Sequence, residues 1–259
     1  MLGDGTSEPS FILWGDSHAQ ALAPAFDAVA KQYDVTGYLA NHSACPPLLD
    51  VYREGDTTCL DFNNAILKDI EAHPEWNTVI LSGRWALSAD GQRYKTEEGE
   101  SVVLVDVQSS APTGSNALIF ENGMDRTIQK LLDLNRKVII VSTVPEVGYD
   151  VPSAYFIALR TGRDINKIIA PTTNEYNERN AIVTDVLNKM KSRYNIQVIH
   201  PAQILCDKNI CNVVLEGQPL YKDFAPHFQI WRIVYRKHLR SNIRSVNRFE
   251  SLKTIQEEG

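Results

Sequence analysis

Short apolar runs alternate along the chain with longer segments whose apolar residues recur every three or four positions. The runs that we predict as strands are Ser10–Trp14, Asp34–Ala40, Thr78–Leu81, Lys137–Ser142 and Ile196–His200. The segments that we predict as helices are His18–Lys31, Cys59–Ala72, Met124–Leu134 and Asn174–Tyr194. Because the strands are largely apolar and are separated by helices, the pattern indicates an α/β fold whose parallel sheet is covered by helices on both faces.

Two stretches interrupt this alternation, Ala89–Ser115 and Pro145–Pro171, and both are longer than ordinary connections. We expect them to form a hairpin or lid-like insertions over a site. In an open parallel sheet, ligands bind beyond the carboxyl ends of the strands. The segments that should converge at that edge are Gly15–His18, Asn41–Pro47, Ser82–Trp85 and Ser142–Glu146.

Composition excludes several classes of function. The 259-residue chain is 43% hydrophobic and has a formal net charge of −6, which argues against broad electrostatic binding to nucleic acid. No apolar run approaches the roughly 20 residues of a membrane helix, and the first ten residues lack the basic and apolar segments of a secretory signal. The charge is uneven, because residues 228–259 hold 7 basic and 3 acidic residues, against 19 and 29 before them. A solvated basic helix would account for such a tail.

The four cysteines form two local pairs, Cys45 with Cys59 and Cys206 with Cys211. Neither pair has the C-x-x-C spacing or the neighbouring histidines of a zinc site, so we expect no metal. Two disulfides that close short loops would indicate an oxidising compartment. Four buried thiols would fit the same spacing, because cysteine packs as a small apolar residue. The spacing alone leaves both alternatives open.

The residues Gly15-Asp16-Ser17-His18 follow the first predicted strand and begin the first predicted helix. A serine at this turn presents its hydroxyl beside the N–H groups at the start of the helix. Those groups and the helix dipole can stabilise a negative charge that develops on a reacting oxygen. Asp16 or Ser17 could instead simply cap the helix. The position at a strand end, where a site is expected, favours a nucleophilic role for Ser17.

The block GDSHAQAL after an apolar strand resembles the first block of the SGNH (GDSL-like) hydrolase superfamily. It is most similar to the SGNH domain fused to membrane acyltransferases of the acyltransferase-3 type, which O-acetylate surface polysaccharides. Further matching segments are Cys45–Leu48, Ser82–Trp85 and Leu220–Asp223, and the likeness runs from Phe11 to His227. The resemblance implies a flavodoxin-like three-layer α/β/α fold with about five parallel strands, two disulfides, a periplasmic location tethered to the inner membrane, and acyl-ester chemistry on carbohydrate.

Carried onto this sequence, the resemblance implies a catalytic triad. Ser17 becomes the nucleophile, and its own backbone N–H becomes one donor to the oxyanion. His227 becomes the general base, and Asp223 becomes the acid that orients it. These three roles are expectations from the likeness.

The other oxyanion and substrate-binding groups are predicted at the neighbouring strand ends. Where the superfamily has an Asn after the third strand, this chain has Gly83 and Arg84. Arg84 would supply a charged donor, or would form a structural ion pair with Asp16 or another carboxylate. Asn41, Ser43 or the backbone near them is a further candidate. Asp16 is expected to be a turn and cap residue at this site.

The spacing of acid and base is one residue longer than the superfamily's Asp-x-x-His, since Pro226 lies between Ala225 and His227. The likeness ends at the same place. With suitable codons, removing one cytosine at the junction of Ala225 and Pro226 restores the spacing and continues as His-Ile-Phe-Lys-Tyr-Gly-Glu. We therefore hypothesise a shifted reading frame after Ala225. It would divide the chain into an SGNH-like catalytic domain, residues 1–227, and a basic, poorly ordered tail, residues 228–259.

These residues predict a serine acyltransferase that acetylates a cell-surface carbohydrate and needs no cofactor. Its partners would be a sugar acceptor, an acyl donor and a membrane acyltransferase domain that is not in this chain. A stand-alone carbohydrate acetyl-esterase would have the same site. A catalytically impaired sugar-binding module would fit the long Asp–His spacing. His200, at the end of the fifth predicted strand, would be a reserve base if His227 is displaced.

Overall fold

The computed structural model describes residues 1–108, 115–215, 217–222 and 225–226. Its strands are β1 (Pro9–Gly15), β2 (Thr36–Asn41), β3 (Val51–Arg53), β4 (Thr78–Ser82), β5 (Leu104–Asp106), β6 (Lys137–Val141), β7 (Gln197–Ile199), β8 (Val214–Leu215), β9 (Gln218–Pro219), β10 (Tyr221–Lys222) and β11 (Ala225–Pro226). Its helices are α1 (Ser17–Gln32), α2 (Thr58–Ala72), α3 (Trp85–Asp90), α4 (Asn116–Asp133), α5 (Val151–Thr161), α6 (Asn166–Ile169), α7 (Thr173–Arg179), α8 (Ala181–Arg193) and α9 (Ala202–Leu205).

A five-stranded parallel sheet in the order β2-β1-β4-β6-β7 forms the centre of the fold. Alternate residues of each strand pack on opposite faces, so Trp14 and Leu81 belong to one core and Leu13 and Ile80 to the other. Helices α2, α4 and α8 cover the first core, and α1 and α5 cover the second. The predicted three-layer α/β/α fold with five parallel strands is confirmed.

The predicted convergence of strand ends follows from the register of this sheet. Gly15, the last residue of β1, is aligned with Asn41 of β2 on one side and with Ser82 of β4 on the other. Ser82 is in turn aligned with Val141 of β6. Because all five strands run in the same direction, the loops that follow them meet at one edge.

The two long insertions contain secondary structure of their own. In the stretch Ala89–Ser115, β5 pairs antiparallel with β3, which precedes α2 in the chain. The described part of this stretch is therefore not a hairpin, and the sequence pattern could not show a partner so far away. The stretch Pro145–Pro171 holds α5 and α6, which pack on the same core as α1.

Two helix boundaries differ from the prediction because asparagine side chains bond to the backbone. The predicted helix Asn174–Tyr194 is divided into α7 and α8 at Asn180, whose side-chain amide donates to the carbonyl of Tyr176 at 2.8 Å. Helix α4 begins at Asn116 rather than Met124. The Asn116 side chain accepts the N–H of Leu104 at 3.0 Å and so fixes the start of the helix against β5.

Both cysteine pairs are disulfides, Cys45–Cys59 and Cys206–Cys211. The alternative of four free thiols is therefore wrong. The first disulfide joins the loop after β2 to the start of α2, and the second closes a short loop after α9. Within the residues that the structure describes, no helix is both long and apolar enough to cross a membrane.

Replacing both Cys45 and Cys59 by serine is expected to lower the free energy of unfolding by about 3 kcal/mol, because the disulfide limits the unfolded chain. The same change at Cys206 and Cys211 should cost about 2 kcal/mol, since the closed loop is shorter. Urea unfolding of the oxidised protein and of each double variant measures both values. Four titratable thiols in protein expressed in an oxidising compartment would contradict this prediction.

Candidate active site

The turn between β1 and α1 requires a glycine at position 15. A Cβ atom on Gly15 would lie 1.7 Å from the carbonyl oxygen of Ser82 on the neighbouring strand, so no other residue fits without moving β1 and β4 apart. The close approach of these two strands brings the loop after β4 directly beside the turn.

Asp16 caps α1 and joins the turn to the loop after β4. Its Oδ1 accepts the N–H of His18 at 2.7 Å, and its Oδ2 accepts the N–H of Arg84 at 2.7 Å. The side chain is 1% exposed. Both carboxylate oxygens are thus engaged by backbone N–H groups, as expected for a turn and cap residue. This arrangement fixes the position of the next residue, Ser17.

Ser17 is the first residue of α1, and its side chain is exposed. Asp16 already caps the helix, so the Ser17 hydroxyl is not needed for capping. Among the described residues, the Ser17 N–H has no hydrogen-bond acceptor, and it lies at the positive end of a 16-residue helix. An exposed hydroxyl with a free N–H beside it can attack an acyl carbon and stabilise the oxyanion that results.

The loop after β2 forms one side of this turn. The N–H of His42 donates to the carbonyl of Gly15 at 3.1 Å, directly after Asn41. Asn41 is half-buried and is aligned with Gly15 across the strand pair. The disulfide of Cys45 anchors the same loop to α2. The structure therefore brings Asn41 to the edge where it was predicted, and its role as an oxyanion donor stays a prediction.

Gly83 and Arg84 form the other side of the turn. A Cβ on Gly83 would lie 3.4 Å from the Asp16 carboxylate, so this residue is immediately beside the cap. The Arg84 guanidinium turns away to Glu146, 2.5 Å from its Nε, and to Glu97, 2.6 Å from its Nη1. Burial lowers the pKa of Arg84, but these two carboxylates outweigh burial and raise it. The sequence left Arg84 as either a charged oxyanion donor or a member of a structural ion pair. In the structure its side chain forms the ion pair, and its partners are Glu97 and Glu146 rather than Asp16.

Glu146 connects several loops around the site. Its second oxygen accepts from Arg179 Nε at 2.6 Å, and Arg179 also pairs with Asp90. The side chains of Glu146 and Arg179 are 4% and 6% exposed. The buried network thus ties the ends of β4 and β6 to α3 and α7.

Glu146→Gln is expected to lower the free energy of unfolding by about 3 kcal/mol, because it removes a buried charge shared by two guanidinium groups. Urea unfolding measures the change. Glu121→Gln is a matched control, since Glu121 pairs with Lys189 at the surface and should contribute less than about 1 kcal/mol. Equal losses in the two variants would contradict a structural role for the network.

His18 is buried directly after Ser17 and is 6% exposed. Burial lowers its pKa, although the Asp16 carboxylate acts in the opposite direction. Among the described residues its Nδ1 has no hydrogen-bond partner. A neutral imidazole is therefore part of the packing beneath the turn.

The free energy of unfolding should fall between pH 7 and pH 5, because His18 takes up a proton more readily in the unfolded chain. Its folded pKa is lowered, so this contribution is complete above the unfolded pKa of about 6.5 and is lost as the pH falls. For one proton, the free energy of unfolding changes with pH by at most about 1.4 kcal/mol per pH unit. His18→Gln should make this slope smaller. Unfolding in urea at each pH measures the slope, and an unchanged slope in His18→Gln would contradict the argument.

Arg53 is a functional candidate that the sequence did not indicate. It ends β3, is half-buried and lies close enough to Asp16, Arg93 and Arg84 for their charges to affect it. Burial lowers its pKa, and within the described residues it has neither a salt bridge nor a partner for its Nε. A guanidinium whose Nε has no partner would donate to an anionic group of a substrate that approached it. No motif marks an isolated arginine in a short strand.

His200 is far from Ser17. Its Nδ1 is 3.2 Å from the Ser142 hydroxyl, at the ends of β7 and β6. β7 is three strand positions from β1, which corresponds to about 14 Å at the usual spacing of strands. Burial lowers the pKa of His200 as well. A direct proton transfer from Ser17 to His200 is too long, so the prediction of a reserve base is wrong.

The predicted triad residues Asp223 and His227 lie outside the described residues, as does the predicted tail. Their chain neighbours are described. β10 and β11 pair antiparallel, with Tyr221 opposite Pro226 and Lys222 opposite Ala225. β11 lies against α1 and β10 lies against α5. The chain before Asp223 therefore lies against α5, and the chain after Phe224 lies against α1, the helix that begins at Ser17.

The fold and the turn together define an α/β protein with a candidate serine nucleophile at the carboxyl edge of its sheet. The family model described as SGNH domain (fused to AT3 domains) matches residues 1–228, and the chain belongs to this family. It is accordingly an enzyme domain of the acyltransferase and esterase type.

Several solved structures are similar to this chain, including an acetyltransferase domain and a lipase. The periplasmic domain of a lipopolysaccharide acetyltransferase from Salmonella ser. Paratyphi A is 16% identical, with a TM-score of 0.61, over 91% of this chain and 84% of that one. A GDSL-like lipase from Bacteroides thetaiotaomicron is 10% identical, with a TM-score of 0.47, over 91% of this chain and 88% of that one. A search of curated proteins finds no match. The Salmonella domain shares the fold of this chain.

Proposed function

We propose that this chain is a serine acetyltransferase domain that moves an acetyl group to a hydroxyl of a cell-surface carbohydrate. The observation that carries the proposal is the exposed Ser17 hydroxyl at the start of α1, on a turn that Asp16 caps. The family membership and the Salmonella acetyltransferase domain with the same fold support acyl transfer. We assign the domain to an oxidising, extracytoplasmic compartment, because it has two disulfides and belongs to a family fused to AT3 domains.

The reaction has two halves. In the first, the Ser17 oxygen attacks the acetyl carbon of the donor while His227 takes the hydroxyl proton and then gives it to the leaving group. In the second, a sugar hydroxyl attacks the acetyl-enzyme, His227 takes its proton, and the proton returns to Ser17. Asp223 holds the imidazole in the orientation that both steps require.

The oxyanion that forms in each half needs donors on the side of Ser17 away from the base. The Ser17 N–H supplies the first, because it has no acceptor among the described residues. The second comes from the backbone at Gly83 or from Asn41, since both lie beside the turn. The Arg84 side chain acts indirectly, by holding its loop in place through Glu97 and Glu146.

A stand-alone esterase would use the same acetyl-enzyme with water as acceptor, and a catalytically impaired module would form none. The deciding experiment incubates the purified chain with p-nitrophenyl acetate, with and without a mixture of bacterial surface oligosaccharides. Release of nitrophenol that is faster with oligosaccharide, together with acetylated sugar, supports the transferase. Release of nitrophenol at the same rate with and without oligosaccharide supports the esterase. A chain that forms no acetyl-enzyme, and therefore releases no nitrophenol, supports the impaired module.

A further inference from the structure

Helix α5 is apolar on nearly all sides. Val151 and Ala158 face the core and are buried, as expected for the inner side of a surface helix. On the outer side, Phe156, Ile157 and Leu159 are 60%, 59% and 64% exposed. Helices that are apolar all round are ordinarily buried on every side. The outer side of α5 is therefore suited to a second apolar environment.

The neighbouring helix α6 extends this surface. Its Ile168 is 50% exposed, so four of the seven large apolar side chains that are exposed in the described chain lie between residues 156 and 168. The other three, Met1, Val107 and Leu118, lie outside this segment of the chain. A cluster of this kind marks an interaction surface. We call residues Val151–Ile169 the α5–α6 surface.

The charges of this surface are positive towards solvent. Arg160, Arg163 and Lys167 are all exposed. Two exposed acids lie nearby: Asp150 caps α5 by accepting the N–H of Ser153 at 3.1 Å, and Asp164 accepts the N–H of Asn166 at 3.0 Å, so the basic residues outnumber the acids by three to two. The chain as a whole is acidic, with a net charge of −6. Cations beside apolar side chains match the phosphate groups and acyl chains of an anionic bilayer.

Helix α5 packs on the same face of the sheet as α1. α5 follows the carboxyl end of β6, and β10 packs against it. The paired strand β11 packs against α1, which begins at Ser17. Contact between this surface and a bilayer would therefore place the membrane on the side of the sheet that α1 and α5 cover.

We propose that the α5–α6 surface docks the domain on an anionic lipid bilayer. Phe156, Ile157 and Leu159 enter the boundary between headgroups and acyl chains, while the three cations contact lipid phosphates. This contact with the bilayer is separate from the chemistry at Ser17. The domain should therefore bind the bilayer whether or not Ser17 is the nucleophile.

Sedimentation of the full chain with vesicles tests the proposal. The chain should bind vesicles of phosphatidylcholine with one quarter phosphatidylglycerol, and binding to phosphatidylcholine alone should be at least tenfold weaker. A triple variant, Phe156→Ser, Ile157→Ser and Leu159→Ser, should bind at least tenfold more weakly than wild type. A second triple variant, Arg160→Gln, Arg163→Gln and Lys167→Gln, should lose the preference for anionic lipid.

The control for these variants is Leu118→Ser with Val107→Ser, which removes exposed apolar side chains elsewhere and should leave binding unchanged. Every variant keeps the basic residues 228–259, so differences between variants report the α5–α6 surface. Binding that is absent, or equal in wild type and both triple variants, overturns the proposal. A dimer that Phe156→Ser dissociates would assign the surface to a second copy of the chain and would equally overturn it.

Discussion

Ser17→Ala is expected to lower acetyl-ester turnover by at least about a thousandfold, because alanine leaves no oxygen to carry the acetyl group. The thermal midpoint should stay close to that of the wild type. Ser17 is exposed, and Asp16 rather than Ser17 caps α1. The measurement is release of nitrophenol from p-nitrophenyl acetate, made in the tail-repaired chain described below as well as in the present one.

Ser153→Ala is the matched control, since Ser153 also lies in the first turn of a helix capped by an aspartate. Its turnover should equal that of the wild type. Mass spectrometry of the protein after reaction with a fluorophosphonate should find the added mass on Ser17 and not on Ser153. Turnover at the wild-type rate in Ser17→Ala would remove Ser17 as the nucleophile.

The parts of the site that the sequence predicted depend on neighbours close in the chain. Gly15, Asp16 and Ser17 are consecutive, and a strand, a tight turn and a helix start leave a readable pattern over a few residues. The parallel direction of the strands and the convergence of their ends follow from the alternation of strands with helices. The same alternation predicted the parallel sheet and the helical layer on each of its faces.

The parts that the sequence did not predict depend on contacts between distant residues. Arg84 pairs with Glu97, 13 positions away, and with Glu146, 62 positions away. β5 pairs with β3 across the whole of α2. The charge of Asp16 affects Arg53, although the two residues are 37 positions apart in the chain. No local periodicity encodes such pairings, because each is set by how separate elements pack.

Replacing residues 226–259 by the translation of the shifted frame is expected to raise acetyl-ester turnover at least about tenfold. The replacement restores the Asp-x-x-His spacing that the superfamily uses. In the present chain, Ala225 and Pro226 are extended, so the one extra residue adds about 3.3 Å between acid and base. Proline fixes its own φ and disfavours a helical turn at Ala225, so this length is not taken up by local bending. A base displaced by even about 1 Å can cost a hundredfold in rate.

Deleting Pro226 alone separates the spacing from the sequence that follows. This variant restores the distance between Asp223 and His227 along the chain but keeps the present tail, so its turnover should lie between those of the present and repaired chains. Substituting the restored histidine by alanine in the repaired chain should return turnover to the level of the present one, because the base is then lost. If the present chain already matches the repaired chain, residues 226–259 are in their native frame and His227 reaches Ser17 across the longer spacing. The gene sequence of a close relative gives an independent result, since agreement in frame through the tail would contradict the shift.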